Sequence, residues 1–178
     1  MTRIATPAID TATGATAEVY AQIKKAAGAV PNTFATIGAH GPAALKAVLT
    51  ADGTLSAGSL SKQDQETIKL LVSEVAGCDY CVAAHTMLGK MTGLSRETMK
   101  QIRTFKPTGD AKRDALVRFV RILQQTSGTI LRSEFEAIKA AGYTDQQIVE
   151  ISLTIAVTVF TNVFNRINDT AVDFPAAD

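Results

Sequence analysis

The chain has 178 residues, 46% of them apolar, with 18 Lys and Arg against 17 Asp and Glu. That length fits one domain able to bury a core without disulfides. The formal charge of +1 carries no electrostatic footprint for nucleic acid, and the apolar content excludes an intrinsically disordered chain. With 12 Gly and 5 Pro, collagen-like and linker compositions are excluded as well.

The hydrophobic pattern is helical almost throughout, which predicts an all-α fold in one domain: a short N-terminal arm over residues 1–15, then a helical bundle over 16–178. The arm is small, polar and read as extended. Thr16 to Ala27 forms the first predicted helix, with Val19, Tyr20, Ile23 and Ala27 on one face and Gly28 as its stop. Pro31-Asn32 and Gly41-Pro42 open two short helical segments, with His40 read as a loop residue beside the second. Ala51 to Leu60 reads as a Gly/Ser loop.

Ser61 is a predicted N-cap, followed by Ile68, Leu71, Val72 and Val75 on an apolar face as far as Ala76. Gly77 interrupts the chain, and a new helix runs from Cys78 to near Gly93. Ser95 caps the next, which stops at Lys106-Pro107. Gly109-Asp110 opens a long helix with Leu116, Phe119, Val120 and Leu123 facing inward. Ser133 and Glu136 read as one capping box, and Thr144 and Gln147 as another.

The last segment, ISLTIAVTVF, has strand-like β-branched content, but the run from Thr144 to Phe174 holds no Gly or Pro and is too long for one strand. It is expected to be a helix, apolar all round and therefore buried. Between Glu150 and Asn162 lie 11 uncharged residues, short of a membrane span of about 20, and the first 20 residues contain no signal-peptide core. The expectation is a cytoplasmic protein with no membrane and no nucleic-acid partner. A shift of 83 residues lays Ser61 on Thr144, a weak trace of two related helical halves.

The chemistry lies in GCDYCVAAH, Gly77 to His85. Cys78 and Cys81 are the only cysteines in the chain. On a helix, Cys78, Cys81 and His85 fall at i, i+3 and i+7 and share one face. A helix N-terminus and a neighbouring imidazole both favour a thiolate, and a free thiol of pKa about 8.5 needs such help to ionise at neutral pH. Upstream carboxylates at Glu66 and Glu74 could each orient His85 or relay a proton, and spacing does not choose between them. A structural zinc site would need His40 or a carboxylate as its fourth ligand, which makes it the weaker reading. Asn162 and Asn165 are polar positions on the last apolar helix, read as hydrogen-bonding or helix-bending residues without a catalytic role. No GxGxxG or GxxxxGK[ST] motif is present, so no bound nucleotide cofactor is expected.

The pattern E-x11-C-x-Y-C-x-x-x-H, here Glu66, Cys78, Tyr80, Cys81 and His85, resembles the core of the AhpD-like alkylhydroperoxidase branch of the carboxymuconolactone decarboxylase family. VPNTFATIGAHGPAALKAVL before it and FTNVFNRINDTAVDFP after it extend the resemblance from roughly Val19 to Pro175. The resemblance implies an all-α fold, assembly into trimers or hexamers, and thiol-dependent hydroperoxide reduction as an antioxidant activity. It implies Cys81 as peroxidatic thiol, Cys78 as resolving thiol, His85 as general base and Glu66 as proton relay, with Tyr80 lining the pocket. It implies no bound cofactor and no metal. The Cys78–Cys81 disulfide would be reduced by an external dithiol on a lipoylated or thioredoxin-like protein. The best-known AhpD proteins carry His where this chain has Tyr80. The decarboxylases that name the family lack the cysteine pair. Two alternatives remain beside the peroxidase: a thiol–disulfide adaptor with weak peroxidase activity, and a non-redox acid–base enzyme using His85 and Glu66.

Overall fold

The computed structural model describes residues 2–177; Met1 and Asp178, the outer ends of the arm and of the bundle read from the sequence, lie outside them. Among the described residues nine α-helices follow one another: α1 Gly14–Ala27, α2 Asn32–His40, α3 Pro42–Ser56, α4 Lys62–Val75, α5 Asp79–Met91, α6 Arg96–Arg103, α7 Ala111–Thr126, α8 Arg132–Ala140 and α9 Asp145–Asn168. No strand occurs among the described residues. The expected all-α single domain is what the chain forms.

Helix α4 is the hub. It packs on α5, α6, α7 and α9, and its Ile68, Leu70, Leu71 and Val72 are fully buried. Val75, expected on the same face, is exposed because the helix ends there. The main core joins these residues to Leu116, Phe119 and Val120 of α7 and Ile151 of α9. A second core, Val19, Tyr20, Ile23, Ile37 and Leu45, joins α1 to α2 and α3. Ala27 lies outside it, exposed in the last turn of α1.

The local signals place the helix ends well at most positions. Ser61, Ser95 and Asp110 each accept a backbone N–H at the start of α4, α6 and α7. Thr144 and Gln147 form the full capping box of α9.

Several expectations need correction. The arm is partly helical, with a 3₁₀ turn over Ile9–Thr11 and α1 beginning at Gly14 rather than Thr16. The Gly/Ser loop over Ala51 to Leu60 is instead helix as far as Ser56, because burial of Leu55 outweighs the weak helix preference of Gly53 and Thr54. Ser133 is not an N-cap. Helix α8 starts at Arg132 after Leu131, no side chain caps it, and Glu136 pairs with Arg132 at 2.8 Å. His40 closes α2, and its Nε2 meets the Ala5 carbonyl at 2.8 Å.

Helix α9 departs furthest from expectation. Its buried stripe is Ile151, Thr154, Thr158, Asn162, Asn165 and Asn168, largely polar. Its apolar side chains Val149, Phe160, Val163 and Ile167 are 69%, 40%, 51% and 58% exposed. The helix is therefore not buried all round; it turns its polar stripe inward and leaves an apolar face without a partner in the chain. Its 24 residues are also long and apolar enough to cross a membrane by length and composition, contrary to the sequence count, although its inward polar stripe is hydrogen-bonded to α2, α4 and α5. The shift of 83 residues superposes the caps Ser61 and Thr144, but the break at Gly77 has no counterpart, since α9 continues through Phe160.

Candidate active site

Helix α4 ends in a Schellman motif that aims the next helix. Gly77 adopts φ +62°, the Gly77 N–H bonds the Glu74 carbonyl and the Cys78 N–H bonds the Ser73 carbonyl, both at 3.0 Å. The chain turns sharply and Cys78 becomes the N-cap of α5, its sulfur accepting the Cys81 N–H at 3.4 Å. The two thiols are free, buried and 2.6 Å apart, Sγ to Sγ.

One turn further along α5, His85 Nδ1 lies 2.9 Å from Glu66 Oε2 on α4. The side chains of Glu66 and His85 are 10% and 15% exposed. An ionised carboxylate only accepts, so Nδ1 carries the proton and Nε2 is the free basic nitrogen of the ring. Glu74, the other candidate, is turned away to Arg103 Nε at 2.7 Å. Lys69, one turn along α4 from Glu66, stands 3.8 Å from Glu66 and 3.1 Å from Asp52 of α3. Sequence reasoning named neither Lys69 nor Asp52; both look like ordinary helix charges until α3 and α4 are packed together.

Burial pushes the Glu66 carboxyl up, but the charge and hydrogen bond of His85, with Lys69 and Lys62, outweigh it and hold the group below the usual carboxylate range. Once one proton has left, the two sulfurs share the other, so their ionisations split. The hydrogen bond from Cys81 draws the Cys78 thiol down, aided by the Cys81 N–H and Arg166. The same bond pushes Cys81 up, together with burial and the charge on Cys78, against lowering contacts from Asn165 and, after it, Thr161. The first proton to leave the pair thus leaves its charge more readily on Cys78.

The sequence reading gives Asn165 no catalytic role. It lies on the polar stripe of α9 and its Nδ2 reaches Cys81 Sγ at 3.2 Å. Nothing in the local sequence separates it from Asn162, which instead accepts the Ser73 hydroxyl at 3.2 Å.

A cavity of about 360 Å³ opens on Cys81 and His85. Phe34, Leu88, Tyr80 and Phe174 make much of its wall, and Lys69 and Asp173 are its charged members beside Asp52. Tyr80 meets Phe174 edge to face with ring centroids 5.4 Å apart. Its hydroxyl accepts the Thr33 N–H at 3.3 Å, and burial pushes its pKa up, so it remains a neutral phenol. Phe174 sits there because the C-terminal tail is pinned: Asp173 accepts the Asn32 N–H at 2.8 Å, and Asn32 Nδ2 donates to the Ala171 carbonyl at 2.9 Å. Cys78 faces a separate, smaller cavity of about 230 Å³ with Asp79 and Arg166. Among the described residues, no three His, Cys, Asp or Glu side chains are grouped to hold a metal ion.

Residues 39–106, which contain Glu66, both cysteines and His85, match the carboxymuconolactone decarboxylase family. No curated protein matches the sequence. Among solved structures, the chain resembles an uncharacterized peroxidase-related protein with an alkylhydroperoxidase AhpD core from Ralstonia eutropha JMP134. The TM-score is 0.86 at 22% identity, over 97% of this chain and 92% of that one. A peroxidase-related protein from Silicibacter sp. TM1040 follows at TM-score 0.78 and 20% identity, over 96% and 91%. The debrominase Bmp8 gives TM-score 0.78 at 19% identity, over 94% and 91%. At these identities the likeness establishes the fold.

Proposed function

We propose that the chain, whose residues 39–106 match the carboxymuconolactone decarboxylase family and whose fold is that of AhpD-core proteins, belongs to the AhpD-like branch of that family and is a thiol-dependent hydroperoxide reductase of antioxidant role. The observation that carries this reading is the pair of free thiols in contact, with Cys81 and His85 opening on one cavity and Glu66 behind His85.

In this reading the hydroperoxide enters the cavity from the aromatic side. His85 Nε2 takes the first proton from the dithiol, and the proton left between the sulfurs moves from Cys81 to Cys78, which makes Cys81 the thiolate and Cys78 the waiting thiol. Cys81 attacks the distal oxygen of ROOH, the O–O bond breaks, and Cys81 becomes a sulfenic acid. The leaving alkoxide takes a proton delivered by His85, whose Nδ1–H is held by Glu66. Cys78 then attacks the Cys81 sulfur, a disulfide forms and water leaves. Two thiols and ROOH thus become a disulfide, ROH and H₂O. An external dithiol, lipoylated or thioredoxin-like, restores the pair by exchange. The protein binds no cofactor of its own and works in the cytoplasm.

The test is a time-resolved count of free thiols in the reduced protein after one equivalent of cumene hydroperoxide. Two thiols should fall to none within seconds. Two thiols persisting for minutes would remove the peroxidase reading and leave the adaptor, for which the same disulfide should still exchange rapidly with dihydrolipoamide.

The apolar outer face of α9 supports self-association, because Val149, Phe160, Val163 and Ile167 form an exposed apolar row that a second copy would cover, and the resemblance makes the assembly a trimer or hexamer. Sedimentation equilibrium should show the assembly, and Val163→Glu should shift it toward monomer; a monomeric wild-type chain would rule it out.

A further inference from the structure

Three elements far apart in sequence converge on Cys81. The Thr33 hydroxyl of α2 donates to Asn165 Oδ1 of α9 at 2.7 Å, and Asn165 Nδ2 donates to Cys81 Sγ of α5 at 3.2 Å. Thr33, Asn165 and Cys81 are 3%, 4% and 3% exposed. The Thr33 hydroxyl fixes the amide, since the oxygen that accepts it leaves only the NH₂ group to face the sulfur. A neutral thiol is a weak acceptor, and an amide donor sealed against it is used far better by a thiolate.

We propose that Asn165, held in orientation by Thr33, is a catalytic hydrogen-bond donor that stabilises the thiolate on Cys81 and so decides which of the two sulfurs reacts. The inference rests on the reading above, in which Cys81 attacks the substrate. The need for such a donor follows from the asymmetry of the pair. Cys78 has the helix N-terminus, the Cys81 N–H and nearby Arg166. Cys81 sits three residues further along, at the end of the first turn, and faces the larger cavity. The charge rests more readily on Cys78, so a donor on Cys81 is what eases its transfer over the 2.6 Å contact to the sulfur that faces the cavity His85 serves. Asn165 supplies that donor from the opposite side of the sulfur pair, and Thr33 is its positioning residue.

The other charged or titratable groups around the sulfur pair lie on side chains that the Asn165 substitutions leave unchanged. These are Cys78 and His85 on α5, Glu66 and Lys69 on α4, Asp52 on α3, Arg166 on α9 and Asp173 on the tail, with the Tyr80 phenol beside them.

The experiment isolates Cys81 in Cys78→Ser and reads its ionisation by thiolate absorbance and by the pH dependence of iodoacetamide alkylation. Adding Asn165→Leu should raise the Cys81 pKa by about 1 unit, a roughly tenfold loss of thiolate on the acid side of the curve. Thr33→Val should raise it by less, because the amide remains but can turn. Asn165→Asp should raise it further than Leu, by placing a carboxylate against the sulfur. A loss of packing alone would lower the melting temperature and leave the pKa where it was. An unchanged pKa in both Asn165→Leu and Thr33→Val overturns the proposal, even if the wild type consumes hydroperoxide. A raised pKa in a chain that hydroperoxide does not oxidise keeps the thiolate clamp and removes the peroxidase reading instead.

Discussion

Cys81→Ser should abolish hydroperoxide consumption, a loss on the order of 10³-fold or more, as expected when the nucleophile itself is removed. Cys78→Ser should behave differently. It should react once per chain, stop at a sulfenic acid on Cys81 that dimedone traps, and lose turnover with a dithiol reductant. The contrast is informative because two features of the pair pull in opposite directions. Ionisation favours Cys78, which caps α5 and accepts the Cys81 N–H. Access favours Cys81, which shares its cavity with His85 while Cys78 faces the smaller cavity beside Asp79 and Arg166. A proton passing over the 2.6 Å contact reconciles them, since it converts the less acidic thiol into the nucleophile and arms the other as the resolving group. If Cys81→Ser still forms a sulfenic acid and Cys78→Ser is inert, charge has outweighed access and the two roles are exchanged. Mass spectrometry of the two dimedone-treated variants distinguishes these cases directly.

What the sequence showed and what it hid divide along a physical line. Cys78, Cys81 and His85 were legible because one helix carries them, and helical periodicity alone puts them on one face. The turn that places Cys78 at a helix start was legible too, since Gly77 is the residue that a left-handed C′ position demands. Glu66 lies on the neighbouring helix, and its choice over Glu74 came from resemblance; the packing of α4 on α5 then brings it to His85 and sends Glu74 to Arg103. Asn165, Thr33 and Phe174 were not legible. Each reaches the site across more than 45 residues of chain, so only the tertiary arrangement brings it to the cysteines. The reading of α9 as a helix buried all round failed for a related reason. Composition measures how apolar a helix is but not which stripe faces inward, and here the inward stripe is the polar one because it must satisfy Ser73, Thr33 and Cys81.

Glu66→Gln should slow oxidation of the dithiol by about 10²-fold, the lower end of what a positioned acid–base group contributes. Gln keeps the shape and can still accept from His85 Nδ1, but it removes the carboxylate charge that lies 2.9 Å from the ring when the imidazole carries the proton it passes on. Lys69 is not orphaned by the change, since Asp52 remains 3.1 Å away. Glu74→Gln is the matched control: it breaks only the contact with Arg103 and should leave the rate unchanged. The same pair of variants separates catalysis from stability through pH. The folded carboxyl of Glu66 titrates below its ordinary value. Its ionisation therefore adds stability that is complete above an unfolded pKa of about 4.3 and is lost as pH falls through the lower folded value. Urea unfolding of the wild type should accordingly lose this contribution only below about pH 4.3, while Glu66→Gln shows no such component in that window. At neutral pH the rate defect of Glu66→Gln should far exceed anything its small loss of folded population could produce. If the defect instead disappears whenever the variant is fully folded, or if Glu74→Gln is equally slow, Glu66 is a structural partner of His85 and the proton must reach the leaving oxygen by another route.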